Sequence, residues 1–285
     1  MNKLIKFGEY LKCSEYGSLG ILITPSKAPY TYSLAFADML VASGVDMLFF
    51  PFGVSDVRMP WSMGGTEQLT DAAGMKSGIS AENFFEMMKL ICEKYPDHPK
   101  VAVSFYSDIL AYGIDRFIEK CVECGIDGID LPHYSVVSSD DYSHFAAKLA
   151  RAGICLIVPY STEIAMSPKG TRDYDLLCGM MKASGGFGFL MADSTAKSGQ
   201  TWGLPVDKMK PAAERLKAIQ KELGIDWPLI SVCGISTPQN GIEAVREIGT
   251  DGVLIASAVI RMILAEKPLE EIGAYLKTMK ASLKR

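Results

Sequence analysis

The stretch Cys121-Val-Glu-Cys-Gly-Ile-Asp-Gly-Ile-Asp-Leu131 decides the fold, because it runs from a helix end through a glycine into an apolar strand. The same order recurs at residues 40–50, 149–158 and 246–255. In each copy the glycine is suited to the left-handed conformation that ends a helix. The strands are continuous apolar runs, which is typical of a parallel sheet buried on both faces. The chain is therefore predicted to repeat a βα unit.

Eight strands are predicted, near residues 19–24, 46–52, 101–106, 127–132, 155–160, 187–192, 229–233 and 252–256. Eight βα units in one chain favour a TIM (β/α)8 barrel, with residues 1–13 as an extra N-terminal helix below it. A doubly wound sheet is the alternative, and the lack of a G-x-G-x-x-G after the first strand argues against it. No linker or shift of composition divides the chain, so we expect residues 1–285 to form one TIM-barrel domain.

Composition restricts the possible functions. The chain has 285 residues, 48% of them hydrophobic, and a formal net charge of −4. It has no basic run for nucleic acid or an anionic membrane, and no apolar segment near the ~18 residues of a membrane span. We therefore expect a cytoplasmic protein. The seven cysteines are predicted to be reduced, and the Cys121/Cys124 pair is read as two ordinary helix cysteines rather than a metal or redox pair. We expect no metal and no cofactor.

Four short sequence motifs occur in order along the chain: Ser55-Asp56, Tyr112-Gly-Ile-Asp115, Val232-Cys-Gly-Ile-Ser-Thr-Pro238 and Ile255-Ala-Ser-Ala258. Together they resemble the tryptophan synthase alpha subunit family, over roughly residues 4–284. That family consists of TIM-barrel lyases that split indole-3-glycerol phosphate and work with a pyridoxal-phosphate beta subunit. The resemblance implies a small phosphorylated ligand and a possible partner enzyme subunit.

The acid–base pair of that family is predicted to be lost. The resemblance places the catalytic glutamate of the second strand at Phe49. The partner aspartate should follow Ser55-Asp56, but residues 57–66 contain no carboxylate.

Asp130 is the main candidate for a gained catalytic group. It lies between Ile129 and Leu131, so the alternation of a strand turns it into the barrel, near the end where this fold builds active sites. The resemblance implies an apolar residue here, lining the indole pocket. We expect His133 or Asp56 to assist Asp130, whereas an ion pair with Lys27 is the structural alternative. The substrate pocket is predicted to include Phe49, Asp108, Phe189 and Cys233.

A phosphate site is predicted after the last two strands. Gly234 permits close approach of the backbone, and Ala256 and Ser257 begin a helix whose amides favour an anion. The family normally has glycine at Ala256. Ser198 and Gly199 correspond to the family's sixth loop and complete the predicted site. The alternative is that these residues only build turns and caps.

The sequence leaves three functions open. The first is a divergent lyase or aldolase that acts on a small phosphorylated substrate other than indole-3-glycerol phosphate. The second is a non-catalytic alpha-like subunit that regulates a partner enzyme. The third is continued indole formation, with Glu67 or Asp71 in place of the missing acid.

Overall fold

The computed structural model describes residues 2–22, 30–53, 80–132, 139–193 and 203–285. Its strands form one parallel sheet in the order β5-β4-β3-β2-β1-β9-β8-β7-β6. They are β1 Ser18–Leu22, β2 Met47–Pro51, β3 Lys100–Val103, β4 Gly128–Asp130, β5 Cys155–Ile157, β6 Pro159–Ser161, β7 Gly188–Met191, β8 Leu229–Val232 and β9 Gly252–Ile255.

The two ends of this sheet order, β5 and β6, are pieces of a single strand. Only Val158 separates them, and Pro159 then lacks the N–H that a ladder bond would need. The sheet therefore closes into an eight-stranded barrel. The TIM-barrel prediction is confirmed, and the break at Val158 is a detail that the apolar run 155–160 does not indicate.

Helices surround the barrel. They span Lys3–Cys13, Thr31–Ala42, Ala81–Lys94, Tyr106–Tyr112, Ile114–Cys124, Ser139–Arg151, Thr162–Ala165, Arg172–Ala183, Val206–Leu223, Pro238–Ile242, Ser257–Leu264 and Leu269–Ser282. A π-helix, Glu243–Ile248, continues the helix Pro238–Ile242. The glycines predicted to end helices all have positive φ: 82° at Gly44, 76° at Gly125, 73° at Gly153 and 80° at Gly249.

The extra N-terminal helix is present and covers the amino end of the barrel. The Asn2 side chain accepts a hydrogen bond from the Leu4 amide and donates to the carbonyls of Asp127 and Gly153, at 2.7 and 2.8 Å. Leu4 and Leu11 are buried, at 0% and 2% exposure. This helix therefore serves as the floor of the barrel.

The apolar core has two parts. The interior cluster fills the barrel and consists of Leu4, Leu11, Met47, Phe49, Val101, Cys155, Ile157, Phe187, Phe189, Ile230 and Val232. A larger outer core, which includes Ile129 and Leu131, packs the strands against the helices. Alternate residues of each strand thus face opposite sides, as a closed barrel requires.

The Cys121/Cys124 pair lies at the end of the helix Ile114–Cys124, as expected. Burial raises the pKa of both thiols, and Cys124 Sγ donates to the Phe85 carbonyl at 3.4 Å. Within the described ranges, no group of His, Cys, Asp and Glu side chains could hold a metal ion. In the same ranges, no helix is long and apolar enough to cross a membrane.

Candidate active site

Phe49 forms an apolar wall inside the barrel. It is fully buried on β2, and its ring centroid lies 6.1 Å from that of Phe187 and 5.9 Å from that of Phe189. The Phe187 and Phe189 rings are themselves 5.2 Å apart. A Cβ atom at Gly20, on the neighbouring strand, would lie only 2.8 Å from Phe49 Cε2. Aromatic surface therefore occupies this part of the interior.

Asp130, the last residue of β4, faces the interior. Its neighbours Ile129 and Leu131 belong to the outer core, whereas its partners in register are Val103 and Ile157. Ile157 is part of the interior cluster and Val103 packs against it. Asp130 is only 5% exposed. A carboxylate thus enters a largely apolar interior, at the carboxyl end of a strand.

Asp130 is also the only charged residue of the described strands that faces inward. The other charged residue in these strands is Lys100, which has the same side-chain direction as Ala102 of the outer core. Its Nζ donates to the Tyr95 carbonyl. The interior therefore contains a single strand-borne charge among the residues that the structure describes.

Asp108 lies shortly after the end of β3, the strand that neighbours the one carrying Asp130. It is in the first turn of the helix Tyr106–Tyr112, which follows β3, and it is 1% exposed. The Ser104 amide donates to the Asp130 carbonyl at 3.0 Å, which ties the ends of β3 and β4 together. The two predicted carboxylates are therefore buried near the carboxyl ends of neighbouring strands, Asp130 at the end of β4 and Asp108 shortly after β3.

The loops after β8 and β9 lie next to each other on another side of the same face. Cys233 and Gly234 have φ values of 65° and 75°, and a Cβ at Gly234 would lie 2.7 Å from the Gly203 carbonyl oxygen. Ala256 precedes the helix Ser257–Leu264 and accepts from the Ile260 amide at 3.0 Å. The first amides of this helix have no acceptor within the helix, so they can bind an anion.

The structure brings several predicted site residues together. Phe189 contacts Phe49, Cys233 packs against the interior cluster, and Gly234 lies beside the loop that holds Ala256 and Ser257. Other predicted residues lie outside the described ranges: Lys27, Asp56, Glu67, Asp71, His133, Ser198 and Gly199.

Phe187 is a buried interior residue that the sequence analysis did not single out. It immediately precedes β7 and contacts both Phe49 and Phe189. The signal was available, because residues two apart in an extended segment face the same side, and the chain reads Phe187-Gly-Phe189.

The closed parallel barrel places this protein in the class of TIM barrels. Its candidate active site lies at the carboxyl ends of the strands, where TIM-barrel enzymes have their active sites. The sequence model described as "Tryptophan synthase alpha chain" matches residues 21–284. The chain therefore belongs to the tryptophan synthase alpha chain family.

Individual relatives are distant but cover most of the chain. The tryptophan synthase alpha chain of Aquifex aeolicus is 25% identical over 257 residues, which are 90% of this chain and 88% of the relative. That of Methanosarcina barkeri is 27% identical over 247 residues, which are 86% and 84% of the two chains.

Solved structures show the same fold. The alpha subunit from Legionella pneumophila superposes with a TM-score of 0.79 at 21% identity, over 99% of this chain and 98% of that chain. A chain of tryptophan synthase from Mycobacterium tuberculosis gives a TM-score of 0.80 at 18% identity, over 100% and 99% of the two chains. At these identities the likeness concerns the fold.

Proposed function

We propose that this chain is a lyase or aldolase-type enzyme that acts on a small phosphorylated substrate other than indole-3-glycerol phosphate. The observation that carries the proposal is Phe49. The family resemblance places a catalytic glutamate at this position, and here the position holds a fully buried ring packed against two others. A phenylalanine can neither donate nor accept a proton, so the glutamate of the family's acid–base pair is missing.

Asp130 is the proposed base. It is buried and faces the interior at the end of β4. In aldol cleavage a base takes the proton of a hydroxyl group while the adjacent carbon–carbon bond breaks, and an acid protonates the leaving carbon. His133 or Asp56 is the proposed acid. Asp108, buried at the neighbouring strand end, is proposed to line the same pocket.

The proposed phosphate site uses the backbone after β8 and β9. Gly234 brings its amide close, and the amides of the first turn of Ser257–Leu264 attract negative charge at the end of a helix. Ser198 and Gly199, which follow β7 in the sequence, are proposed to complete the site.

Two assays of the purified chain test this function. We expect no measurable release of indole from indole-3-glycerol phosphate, because each missing acid–base group accounts for about 10²–10⁴-fold in rate. We also expect inorganic phosphate to raise the melting temperature, since a ligand that binds only the native state stabilises it. Rapid indole release would refute the altered substrate and would favour a replacement acid such as Glu67 or Asp71.

The phosphate site has a matched pair of variants. Ser257→Asp adds a negative charge where the anion is proposed to bind, so it should abolish the phosphate-induced shift. Thr171→Asp adds the same charge at another helix start, where the Thr171 side chain already accepts from the Tyr174 amide, and should leave the shift intact. A shift that survives Ser257→Asp would contradict the placement of the phosphate.

A non-catalytic alpha-like subunit is the second candidate. The observation in its favour is Leu110, which is 53% exposed on the helix Tyr106–Tyr112 at the catalytic face. An exposed leucine on this face suits contact with a partner enzyme subunit. Native mass spectrometry of the chain mixed with a tryptophan synthase beta subunit tests it. A stable complex that is lost on Leu110→Asp, without any turnover by the alpha-like chain, would favour this second function.

A further inference from the structure

Ser236 lies in the β8 loop, residues 233–237, and side chains hold both of its backbone polar groups. Its amide donates to Asn240 Oδ1 at 3.2 Å, and its carbonyl oxygen accepts from the Tyr275 hydroxyl group at 3.1 Å. Asn240 belongs to the short helix that directly follows this loop, so it is a local cap. Tyr275 lies 39 residues further along the chain. The last helix of the chain therefore helps to fix the conformation of the β8 loop.

The helix Leu269–Ser282, which carries Tyr275, is anchored on the barrel. Three of its side chains are fully buried: Ile272, Leu276 and Met279. Near its end, Lys280 Nζ pairs with Asp46 Oδ2 at 2.6 Å, just before β2. Burial raises the pKa of Tyr275 to about 12, against the opposing charge of Arg261, so the hydroxyl group stays protonated at neutral pH. A fixed element thus supplies a lasting hydrogen-bond donor to the β8 loop.

The β8 loop also carries Gly234, which supplies one amide of the proposed phosphate site. Gly234 has a φ of 75°, and a Cβ there would lie 2.7 Å from the Gly203 carbonyl oxygen. Only Ile235 separates it from Ser236, and Ile235 is buried in the outer core. Because the segment is so short, a shift of the Ser236 carbonyl would turn the Gly234 amide as well.

Resting on the proposed function, we infer that Tyr275 is a positioning residue for the phosphate site. Its hydroxyl group holds the Ser236 carbonyl, which keeps the β8 loop in the conformation that presents the Gly234 amide to an anion. Tyr275 acts through the loop rather than by touching the ligand. A loop that is already ordered loses less conformational entropy when the anion binds, so the tie strengthens binding.

Isothermal titration with inorganic phosphate tests this role. Tyr275→Phe removes the hydroxyl group and keeps the ring, so we expect phosphate to bind about 2- to 10-fold more weakly, the factor that corresponds to one neutral hydrogen bond. Tyr160→Phe is the matched control and should bind phosphate as the wild type does. The Tyr160 hydroxyl group is hydrogen-bonded to Ser184 Oγ at 2.8 Å, and Ser184 ends a helix at the amino side of β7. All titrations are made well below the melting temperatures, so that a loss of global stability does not lower the affinity.

Hydrogen exchange of the same variants, followed by mass spectrometry, tests the positioning without a ligand. The amides of Ser236 and Thr237 both donate to Asn240 Oδ1 at 3.2 Å, so their exchange reports on the β8 loop. We expect peptides that cover this loop to exchange faster in Tyr275→Phe than in the wild type or in Tyr160→Phe.

The outcomes separate the inference from the function on which it rests. Unchanged exchange in Tyr275→Phe, or faster exchange with unchanged phosphate affinity, would overturn the role of Tyr275 while leaving the phosphate site in place. An equal loss of affinity in Tyr160→Phe would overturn it too, because the effect would then be a general one. If phosphate does not bind the wild-type chain, the proposed phosphate site is refuted, and the inference with it.

Discussion

Phe49→Glu is the substitution that most directly probes the interior of this barrel. It restores the residue type that the family resemblance places on β2, but in surroundings built for an aromatic ring. Phe49 is fully buried, and its neighbours on the same face are Phe187 and Phe189. We expect the variant to be strongly destabilised and to gain no indole-forming activity.

The magnitude follows from the contacts that are lost and the charge that is introduced. Removing a buried phenylalanine side chain costs about 3–5 kcal/mol, and each aromatic pair contributes about 0.5–1.5 kcal/mol beyond its buried area. A carboxylate in the same place adds a desolvation cost. The total is a large fraction of a free energy of unfolding that is typically about 5–15 kcal/mol.

Urea unfolding of Phe49→Glu beside Phe49→Leu measures this cost. The leucine variant stays apolar and should lose much less. Burial should raise the pKa of the introduced glutamate above its unfolded value of about 4.3. The folded state then binds the proton more tightly, so the deficit relative to Phe49→Leu should grow from pH 5 to pH 7. Equal stability of the two variants at pH 7 would refute the closed apolar interior, and indole release by Phe49→Glu would refute the inactivity.

Two further substitutions test other parts of the structure. Gly234→Ala should cost more stability in thermal melts than Gly249→Ala and should also abolish the phosphate-induced shift. Both glycines have positive φ, a conformation in which a side chain costs about 1 kcal/mol. Of the two, only Gly234 would place its Cβ against a carbonyl oxygen, at 2.7 Å. Equal losses of stability in the two variants would contradict that contact. Asp127→Asn tests a buried carboxylate, because burial raises the pKa of Asp127 above the unfolded value of about 3.9 against the opposing charge of Lys3. In urea titrations, the wild type should therefore lose stability relative to Asp127→Asn as the pH rises from about 4 through the raised pKa. If the wild type instead gains stability relative to the variant, the charge of Lys3 outweighs the effect of burial.

Most of the fold could be predicted because one local rule repeats. A glycine that ends a helix, followed by an apolar run, gives the same unit wherever it occurs, and at Gly125 and Gly249 the left-handed conformation is found as expected. The break at Val158 could not be predicted from hydrophobicity. It depends on the missing N–H of Pro159, which interrupts a hydrogen-bond ladder without changing the apolar character of the run.

The candidate site could be predicted only in part, for a similar reason. The direction of Asp130 follows from alternation along a single strand, so it needed no knowledge of the rest of the chain. The packing of Phe49 against Phe187 joins β2 to the segment before β7, and a contact between residues so far apart in sequence has no local signal. Through the family resemblance the sequence predicts that position 49 lacks a carboxylate, whereas only the barrel shows which rings pack against Phe49.

Phe49 and Asp130 are best considered together, as the positions where the family resemblance predicts a lost and a gained carboxylate. Burial of a carboxylate costs free energy unless hydrogen bonds or a cation compensate for it, so the number of carboxylates facing inward is constrained. The family resemblance would place a carboxylate on β2. Among the described residues of the interior, the carboxylate carried by a strand lies instead on β4, two strands away. An aromatic ring occupies position 49, and the proposed catalytic carboxylate lies at the carboxyl end of β4. If the phosphate is still held after β8 and β9, the reacting part of the substrate must turn toward β4. The proposed change of substrate on a retained fold would account for both positions, whereas the loss of chemistry alone gives no reason for a buried carboxylate at Asp130.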